Sequence, residues 1–192
     1  MAAIQQAGTR IRPIRAGDAT ALHAFVLRNR EALAPWEPAR PDRWFTLEGQ
    51  VARAHQAEDA WDQGRGYAFV IVVAGAVAGL VELSAVVRGP FRNAYLGYSL
   101  DHAARGRGHA TRAVRMALGF AFGEAGLHRV QAAVMPGNRP SVAVLERVGF
   151  RREGLALRYL EIDGVWRDHL LFALTQEEWP TARPPAAASG SG

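Results

Sequence analysis

Two periods of hydrophobic and polar residues run through this chain, and they separate its helices from its strands. Apolar residues that recur at every third or fourth position predict four helices, at residues 18–30, 46–64, 108–124 and 141–148. The segment Ala34-Pro35-Trp36-Glu37-Pro38 lies between the first two helices, and its prolines prevent a helix from continuing through it. Gly126 and Gly149 follow the last two helices and end them.

Strands are predicted where apolar and polar residues alternate or where short β-branched runs occur. Seven segments have such a pattern, at residues 10–15, 68–74, 77–87, 93–100, 128–135, 157–162 and 165–174. The first is expected at a sheet edge, and Gly75-Ala76 and Asp163-Gly164 each turn one strand into the next, which predicts two hairpins. The order of elements predicts an α/β fold with a mixed, mostly antiparallel sheet of about seven strands flanked by about four helices.

The composition indicates how far the domain extends. A chain of 192 residues, of which 49% are hydrophobic, is sufficient for one domain, which we predict over residues 1–182. Residues 183–192 are rich in Pro, Ala, Ser and Gly, so a flexible tail is predicted there. The chain begins without the apolar core of a signal peptide, and no window approaches an uninterrupted membrane span of about 18 residues. We therefore expect a soluble, cytoplasmic protein.

The absence of cysteine restricts the chemistry. It excludes a disulfide, a thiolate metal site and a cysteine nucleophile together. The six histidines do not have the spacing of a metal site, so we expect no metal ion.

The chain is basic, with 23 Lys and Arg residues against 18 Asp and Glu and a net charge of +5. One explanation is attraction to a polyanion, either a nucleic acid or a multiply phosphorylated cofactor. The other is the preference of a GC-rich genome for arginine. The local cluster of Arg105, Arg107, Arg112 and Arg115 favours a phosphate ligand in that part of the chain.

This cluster lies in the segment Arg105-Gly106-Arg107-Gly108-His109-Ala110, between a predicted strand and a predicted helix. The N-terminus of a helix presents unpaired N–H groups, and its dipole favours an anion. Gly106 and Gly108 let a phosphate approach this backbone closely, Thr111 can add a hydroxyl, and Arg105 or Arg107 a positive charge. We also expect His109 to contact the phosphates.

Three phosphate-loop patterns can be compared with this segment. The dinucleotide pattern G-x-G-x-x-G requires a glycine where Thr111 stands, and the Walker loop requires a lysine that the segment lacks. The pattern Arg/Gln-x-x-Gly-x-Gly/Ala is matched at each specified position, by Arg105, Gly108 and Ala110. It is the pyrophosphate motif of the GNAT acetyltransferases. The alternative is a glycine-rich turn that carries surface arginines.

Longer segments on both sides of the loop strengthen this similarity. They are Pro35-Trp36-Glu37-Pro38, Ala94-Tyr95-Leu96-Gly97-Tyr98-Ser99-Leu100, Met135-Pro136-Gly137-Asn138-Arg139-Pro140-Ser141, Leu145-Glu146-Arg147-Val148-Gly149-Phe150 and Tyr159-Leu160-Glu161-Ile162-Asp163-Gly164-Val165-Trp166-Arg167-Asp168-His169. Together they resemble the RimJ branch of the ribosomal-protein-alanine N-acetyltransferases, from about Arg10 to Trp179. The resemblance implies a single-domain GNAT fold in which a splayed pair of strands holds acetyl-CoA.

The resemblance also implies how the cofactor is held. A bulge makes the strand before the loop diverge from the strand after it, and the pantetheine arm pairs with the backbone of Tyr98, Ser99 and Leu100. An N–H of Ser99 or Leu100 also meets the thioester carbonyl. Asn138 contacts the pantetheine, although it can cap a helix as well. The phosphates lie on the loop from Arg105 to Thr111.

The same resemblance implies direct attack of an amine on the thioester, without a covalent enzyme intermediate. Ser141 then protonates the leaving thiolate, and Tyr98 is a second candidate catalytic residue. Glu82 is a candidate relay for the proton of the acceptor, although it can also be a solvated glutamate at an edge. Glu161 and Asp163 are alternatives to Glu82.

The acceptor that the resemblance favours is the N-terminal α-amino group of a protein, with a transient contact to a ribosomal protein. Trp36 and the loop at 35–44 are expected to shape its pocket, with Glu82 and Glu161 as binding residues. Relatives also acetylate small amines, so an antibiotic, an aminoacyl nucleotide or a polyamine stays open as the acceptor. The third alternative is a non-catalytic acyl-CoA-binding protein or ribosome-assembly factor.

Overall fold

The computed structural model describes residues 4–6 and 8–179, and the tail predicted at 183–192 lies outside them. The described residues form one sheet and four α-helices. The strands are β1 (Ile4–Gln6), β2 (Thr9–Pro13), β3 (Tyr67–Val73), β4 (Ala76–Val87), β5 (Asn93–Leu100), β6 (Arg129–Val134), β7 (Arg151–Ile162) and β8 (Val165–Thr175). The helices are α1 (Ala19–Leu33), α2 (Leu47–Asp62), α3 (His109–Phe122) and α4 (Arg139–Val148). None of these four helices is long and apolar enough to cross a membrane.

The strands are arranged in the order β1-β2-β3-β4-β5-β6-β8-β7. Neighbouring strands are antiparallel except β5 and β6, which are parallel and are connected through α3. A parallel connection requires a crossover, and the glycine loop lies at the start of this one. The predicted α/β class and mixed sheet are therefore confirmed.

The strands β5 and β6 are paired only at one end. Their register joins Asn93 to Arg129, Ala94 to Val130 and Tyr95 to Gln131, and the pairing stops there. The Gln131 side-chain amide donates to Asn93 Oδ1 at 2.8 Å, which connects the two strands within this short paired stretch. Beyond Tyr95 the strands part and leave a gap in the middle of the sheet, as the resemblance implied.

A bulge was expected to make the strand before the loop, which is β5, diverge from the strand after it. The irregular register between β4 and β5 lies on β4, between Ser84 and Val87. Ala85 lies inside it and has a φ of +47°, in the left-handed region. β5 keeps regular pairing with β4 from Leu96 to Leu100 while it leaves β6.

One strand was not predicted, and another begins earlier than predicted. β1 was not expected, because Ile4, Gln5 and Gln6 have no apolar period, and its presence means that β2 is not the edge strand. β7 begins at Arg151 instead of at residue 157. The prediction missed its first residues because they are exposed and charged and so have no apolar pattern. The first hairpin turns at Ala74 and Gly75, which both have positive φ, one residue before the predicted turn.

The core has one apolar cluster on each face of the sheet. On one face α3 and α4 cover Phe69, Val81 and Leu83, among other residues. On the other face α1 and α2 cover Val70 and Leu80. This alternation along β3 and β4 is the one expected for interior strands that are covered on both faces.

Candidate active site

The glycine loop leads directly into α3. Gly106 and Gly108 have φ values of +77° and +76°, which favour glycine, and Gly108 is the N-cap residue of the helix. The first N–H to bond within the helix is that of Arg112, which donates to the carbonyl of Gly108. The N–H groups of His109, Ala110 and Thr111 therefore have no acceptor within the helix, and such groups are typical of an anion site.

His109 has a structural task in addition to its place in the loop. Its ring is buried, and its Nδ1 lies 2.8 Å from the hydroxyl of Thr9 on β2. Arg112 donates to the same hydroxyl at 2.8 Å and to the carbonyl of Arg107 at 2.7 Å. Burial, followed by the charges of Arg112 and Arg107, lowers the pKa of His109. Because the His109 ring is neutral and already hydrogen-bonded, we expect His109 to contact a phosphate through its backbone N–H and not through its ring.

One cavity of about 1020 Å³ extends from the glycine loop to the segment after α1. Most of the predicted site residues line it, namely Trp36, Glu82, Tyr98, Ser99, Leu100, Arg105, Gly106, Gly108, His109, Ala110, Thr111, Asn138 and Ser141. Arg107 and Glu161 do not line it. Arg107 is exposed in the loop, and Glu161 is exposed on the β7–β8 hairpin, where it pairs with Trp166. Asp163, the turn residue of that hairpin, is part of the lining.

The cavity reaches both faces of the sheet. Residues that pair across antiparallel strands point to the same side. Glu82 pairs with Gly97, and both lie on the face of Leu80, which α1 and α2 cover. Tyr98 pairs with Val81 and lies on the face of α3 and α4. The gap between β5 and β6 therefore connects two half-sites on opposite sides of the sheet.

On the α3–α4 side, Tyr98 and Ser141 are in contact. The Tyr98 hydroxyl donates to the Ser141 carbonyl at 3.0 Å and lies 2.7 Å from Ser141 Oγ. Asn138 caps α4, because its Oδ1 accepts from the N–H of Ser141 at 3.3 Å, and this bond positions the serine in the first turn. Burial raises the pKa of Tyr98 to about 12, against a lowering by the hydrogen bond with Ser141. Tyr98 is therefore protonated at neutral pH and acts as a donor.

On the α1–α2 side, charged and aromatic side chains surround the end of the cavity. Glu82 lies on β4, an interior strand, so it is not at a sheet edge, and its carboxylate lies 3.9 Å from the guanidinium of Arg53 on α2. The Trp44 ring lies 4.5 Å from the guanidinium carbon of Arg53 and 4.3 Å from that of Arg40. Glu37 lies 4.0 Å from Arg40.

Sequence reasoning missed Glu37, Arg40, Trp44 and Arg53 as individual site residues. Glu37, Arg40 and Trp44 lie in the loop at 35–44, which was expected to shape the pocket without a role for each side chain. Arg53 gave no signal, because in the sequence it is one of many helix arginines.

Comparison with known proteins places these features in a family. A family model described as an acetyltransferase (GNAT) domain matches residues 9–151. The chain belongs to the GNAT acetyltransferases. The expected family, the enzyme class and the use of acetyl-CoA as the family's cofactor are therefore confirmed.

Relatives of this acetyltransferase are similar over nearly their whole length. The probable N-acetyltransferase YjcK of Bacillus subtilis (strain 168) is 37% identical, and the match covers 85% of this chain and 92% of the relative. The [ribosomal protein uS5]-alanine N-acetyltransferase of Escherichia coli (strain K12) is 36% identical, with 90% of each chain covered. The solved structure of Mycobacterium smegmatis RimJ in complex with CoA-disulfide is 39% identical, with a TM-score of 0.86, and covers 90% of this chain and 84% of that one.

Proposed function

We propose that this acetyltransferase transfers the acetyl group of acetyl-CoA to the N-terminal α-amino group of a protein, with an N-terminal alanine of a ribosomal protein as the favoured acceptor. The observation that carries the proposal is the cavity through the sheet. It joins the glycine loop and Ser141 on one face to an end with two carboxylates on the other. A ribosomal acceptor is also named for the Escherichia coli relative, and such an acceptor implies a location in the cytoplasm.

The residues present fit acetyl-CoA. The free N–H groups at the start of α3 suit its pyrophosphate, and Arg105, exposed at the cavity, adds a positive charge. The backbone groups of Tyr98 and Leu100 point away from β4 and lie where β5 has lost β6 as a partner, so they are available to the pantetheine arm, whereas those of Ser99 face β4. Asn138 lies at the other side of the gap, at the start of α4.

When bound, acetyl-CoA supplies a thioester that an amine attacks directly. The N–H of Leu100, which points into the gap, stabilises the oxyanion that forms. The Ser141 hydroxyl gives its proton to the leaving sulfur. The Tyr98 hydroxyl then turns its one proton from the Ser141 carbonyl to Ser141 Oγ, 2.7 Å away, and stabilises the charge that develops on this oxygen. A thiolate leaves easily, so a serine held in this way is a sufficient acid.

At the other end, Glu82 draws the acceptor ammonium into the cavity and is a candidate relay for its proton. Trp36 reaches from the loop after α1 to the β6–α4 turn, since a side chain at Gly137 would contact its ring at 3.9 Å. It therefore restricts the entrance beside Asn138. Glu161 lies outside the cavity, so we assign it no part in binding the acceptor.

The test is an acceptor screen by thiol release and by intact mass. Peptides that begin with Ala, Ser or Met are compared with the same peptides blocked at the N-terminus but carrying an internal lysine, and with a panel of small amines. We expect acetylation of free N-termini, fastest for alanine. The enzyme contains no lysine, so self-acetylation is restricted to its own N-terminus and is easily recognised. Turnover of small amines alone would reject the protein acceptor, and no turnover with any amine would favour a non-catalytic protein.

A further inference from the structure

Gly97 leaves an open space beside Glu82. A Cβ atom built at Gly97 would meet no heavy atom within 4 Å, and its backbone is not in the left-handed region. Neither the packing of the domain nor the backbone conformation therefore requires glycine at this position. A glycine inside a strand is typical of a place where a ligand or another chain approaches the backbone. Because Gly97 pairs with Glu82 and lines the cavity, the space lies on the acceptor side of the gap.

Two carboxylates reach this end of the cavity from different elements. Glu82 comes from β4 and Glu37 from the loop after α1, and both line the cavity. Their surroundings differ. Glu82 has a half-exposed side chain and the guanidinium of Arg53 at 3.9 Å, whereas the side chain of Glu37 is less exposed and has Arg40 at 4.0 Å.

The two environments suit two different tasks. Burial is the largest influence on the pKa of Glu37 and raises it. The charges of Arg40 and Arg53 lower this pKa, the charge of Glu82 raises it, and the net result is a pKa above the usual range. A carboxylate of raised basicity is suited to accept a proton, and a pair of carboxylates in unequal environments commonly divides binding and proton transfer.

We propose that Glu37 binds the acceptor ammonium and takes its first proton, opposite Glu82, in the space that Gly97 leaves open. This inference rests on the proposed function and assigns the proton acceptor within it. The ammonium gives one proton to a Glu37 carboxylate oxygen and becomes the free amine that attacks. After the C–N bond forms and the C–S bond breaks, the nitrogen loses a second proton. The first proton passes from Glu37 to water, and the second replaces the proton that the Ser141 hydroxyl gives to the sulfur of coenzyme A.

The test is the pH dependence of Glu37→Gln, with Glu31→Gln as the control, because Glu31 is an exposed glutamate of α1 outside the cavity lining. An α-amino group has a pKa near ~8, so about a tenth of it is already deprotonated at pH 7. If Glu37 supplies the deprotonation, the variant uses only this tenth. We expect kcat/KM for the acceptor to fall about tenfold at pH 7 and to equal that of the wild type by about pH 9. Glu37→Asp should recover part of the loss at pH 7.

Three results would overturn the proposal: unchanged kcat/KM at pH 7, a loss that is the same at all pH values, or an equal loss in Glu31→Gln. Calorimetry with acetyl-CoA and thermal unfolding establish that the variant is folded and binds the cofactor. Failure of the proposed function is a separate outcome, because it shows in which amines the wild type accepts. The pH dependence is then measured with whichever amine is turned over.

Discussion

The contact between Tyr98 and Ser141 leads to a prediction that separates a catalytic pair from two independent residues. Tyr98→Phe removes a hydroxyl that lies 2.7 Å from Ser141 Oγ and leaves the ring in place. Ser141→Ala removes the proposed acid itself. If Tyr98 acts only through Ser141, its hydroxyl has no effect on catalysis once Ser141 has been replaced.

The magnitudes follow from the contacts. For Ser141→Ala we expect kcat to fall roughly 10- to 100-fold, which is about 1.4–2.7 kcal/mol and lies at or below the lower edge of general acid effects. A hydrogen bond of this kind is worth about 0.5–1.5 kcal/mol, so Tyr98→Phe should lower kcat about 2- to 13-fold. The double variant should be no slower than Ser141→Ala. Independent residues would instead multiply, to a loss of roughly 20- to 1300-fold.

The assay is thiol release at saturating acetyl-CoA and acceptor, with rapid-quench measurements that establish that the chemical step is rate-limiting. Calorimetry should show little change in affinity for acetyl-CoA, because the backbone and Asn138 hold the cofactor. Multiplied losses in the double variant would refute the pairing, and wild-type turnover of Ser141→Ala would refute the acid role. Normal turnover of Ser141→Ala with weakened cofactor binding would make Ser141 a positioning residue.

Three further predictions concern binding and stability. Acetyl-CoA at 100 times its dissociation constant should add about 2.7 kcal/mol to the free energy of unfolding, and an unchanged Tm at millimolar acetyl-CoA would reject the cofactor. Gly108→Val should abolish cofactor binding in a folded protein, because the φ of residue 108 is +76° and a Cβ added there would lie 3.0 Å from the Arg112 guanidinium. Gly119→Ala is the control, because a Cβ at that position would meet no atom within 4 Å. Unchanged affinity in calorimetry would show that the loop is only a turn. Burial raises the pKa of Asp18, but its bonds with Arg12 and Arg15 outweigh this and lower it overall. The stability from Asp18 is therefore present above its unfolded pKa of about 3.9 and lost as the pH falls through the lower folded value. The free energy of unfolding, measured from pH 2 to 5, should therefore change less with pH for Asp18→Asn than for the wild type. The same pH dependence in both proteins would contradict this.

The sequence by itself determined the parts of the site that depend on neighbouring residues. The alternation in residues 93–100, the glycines of the loop and the apolar period of α3 predict a strand, an anion-binding turn and a helix in direct succession. The free N–H groups follow from the start of a helix and need no distant partner. The cap of α4 by Asn138 is likewise a contact across only three residues.

The sequence was less informative where strands have no apolar face. β1 and the first residues of β7 are exposed, so their pairing with a neighbouring strand decides their structure. The position of the bulge on β4 had no signal in the sequence, because register depends on both strands of a pair.

Only the tertiary structure decided which side chains meet. Tyr98 and Ser141 are 43 residues apart, and the ring of His109 bonds to Thr9 across 100 residues. Glu37 comes from a loop, Arg53 from a helix and Glu82 from a strand, and the packing of α1 and α2 on the sheet brings them to one end of the cavity. Each of these side chains has an ordinary sequence context, and its chemistry depends on distances and burial that a local pattern does not encode. The sequence therefore indicated the cofactor half of the site, and the fold assembled the acceptor half.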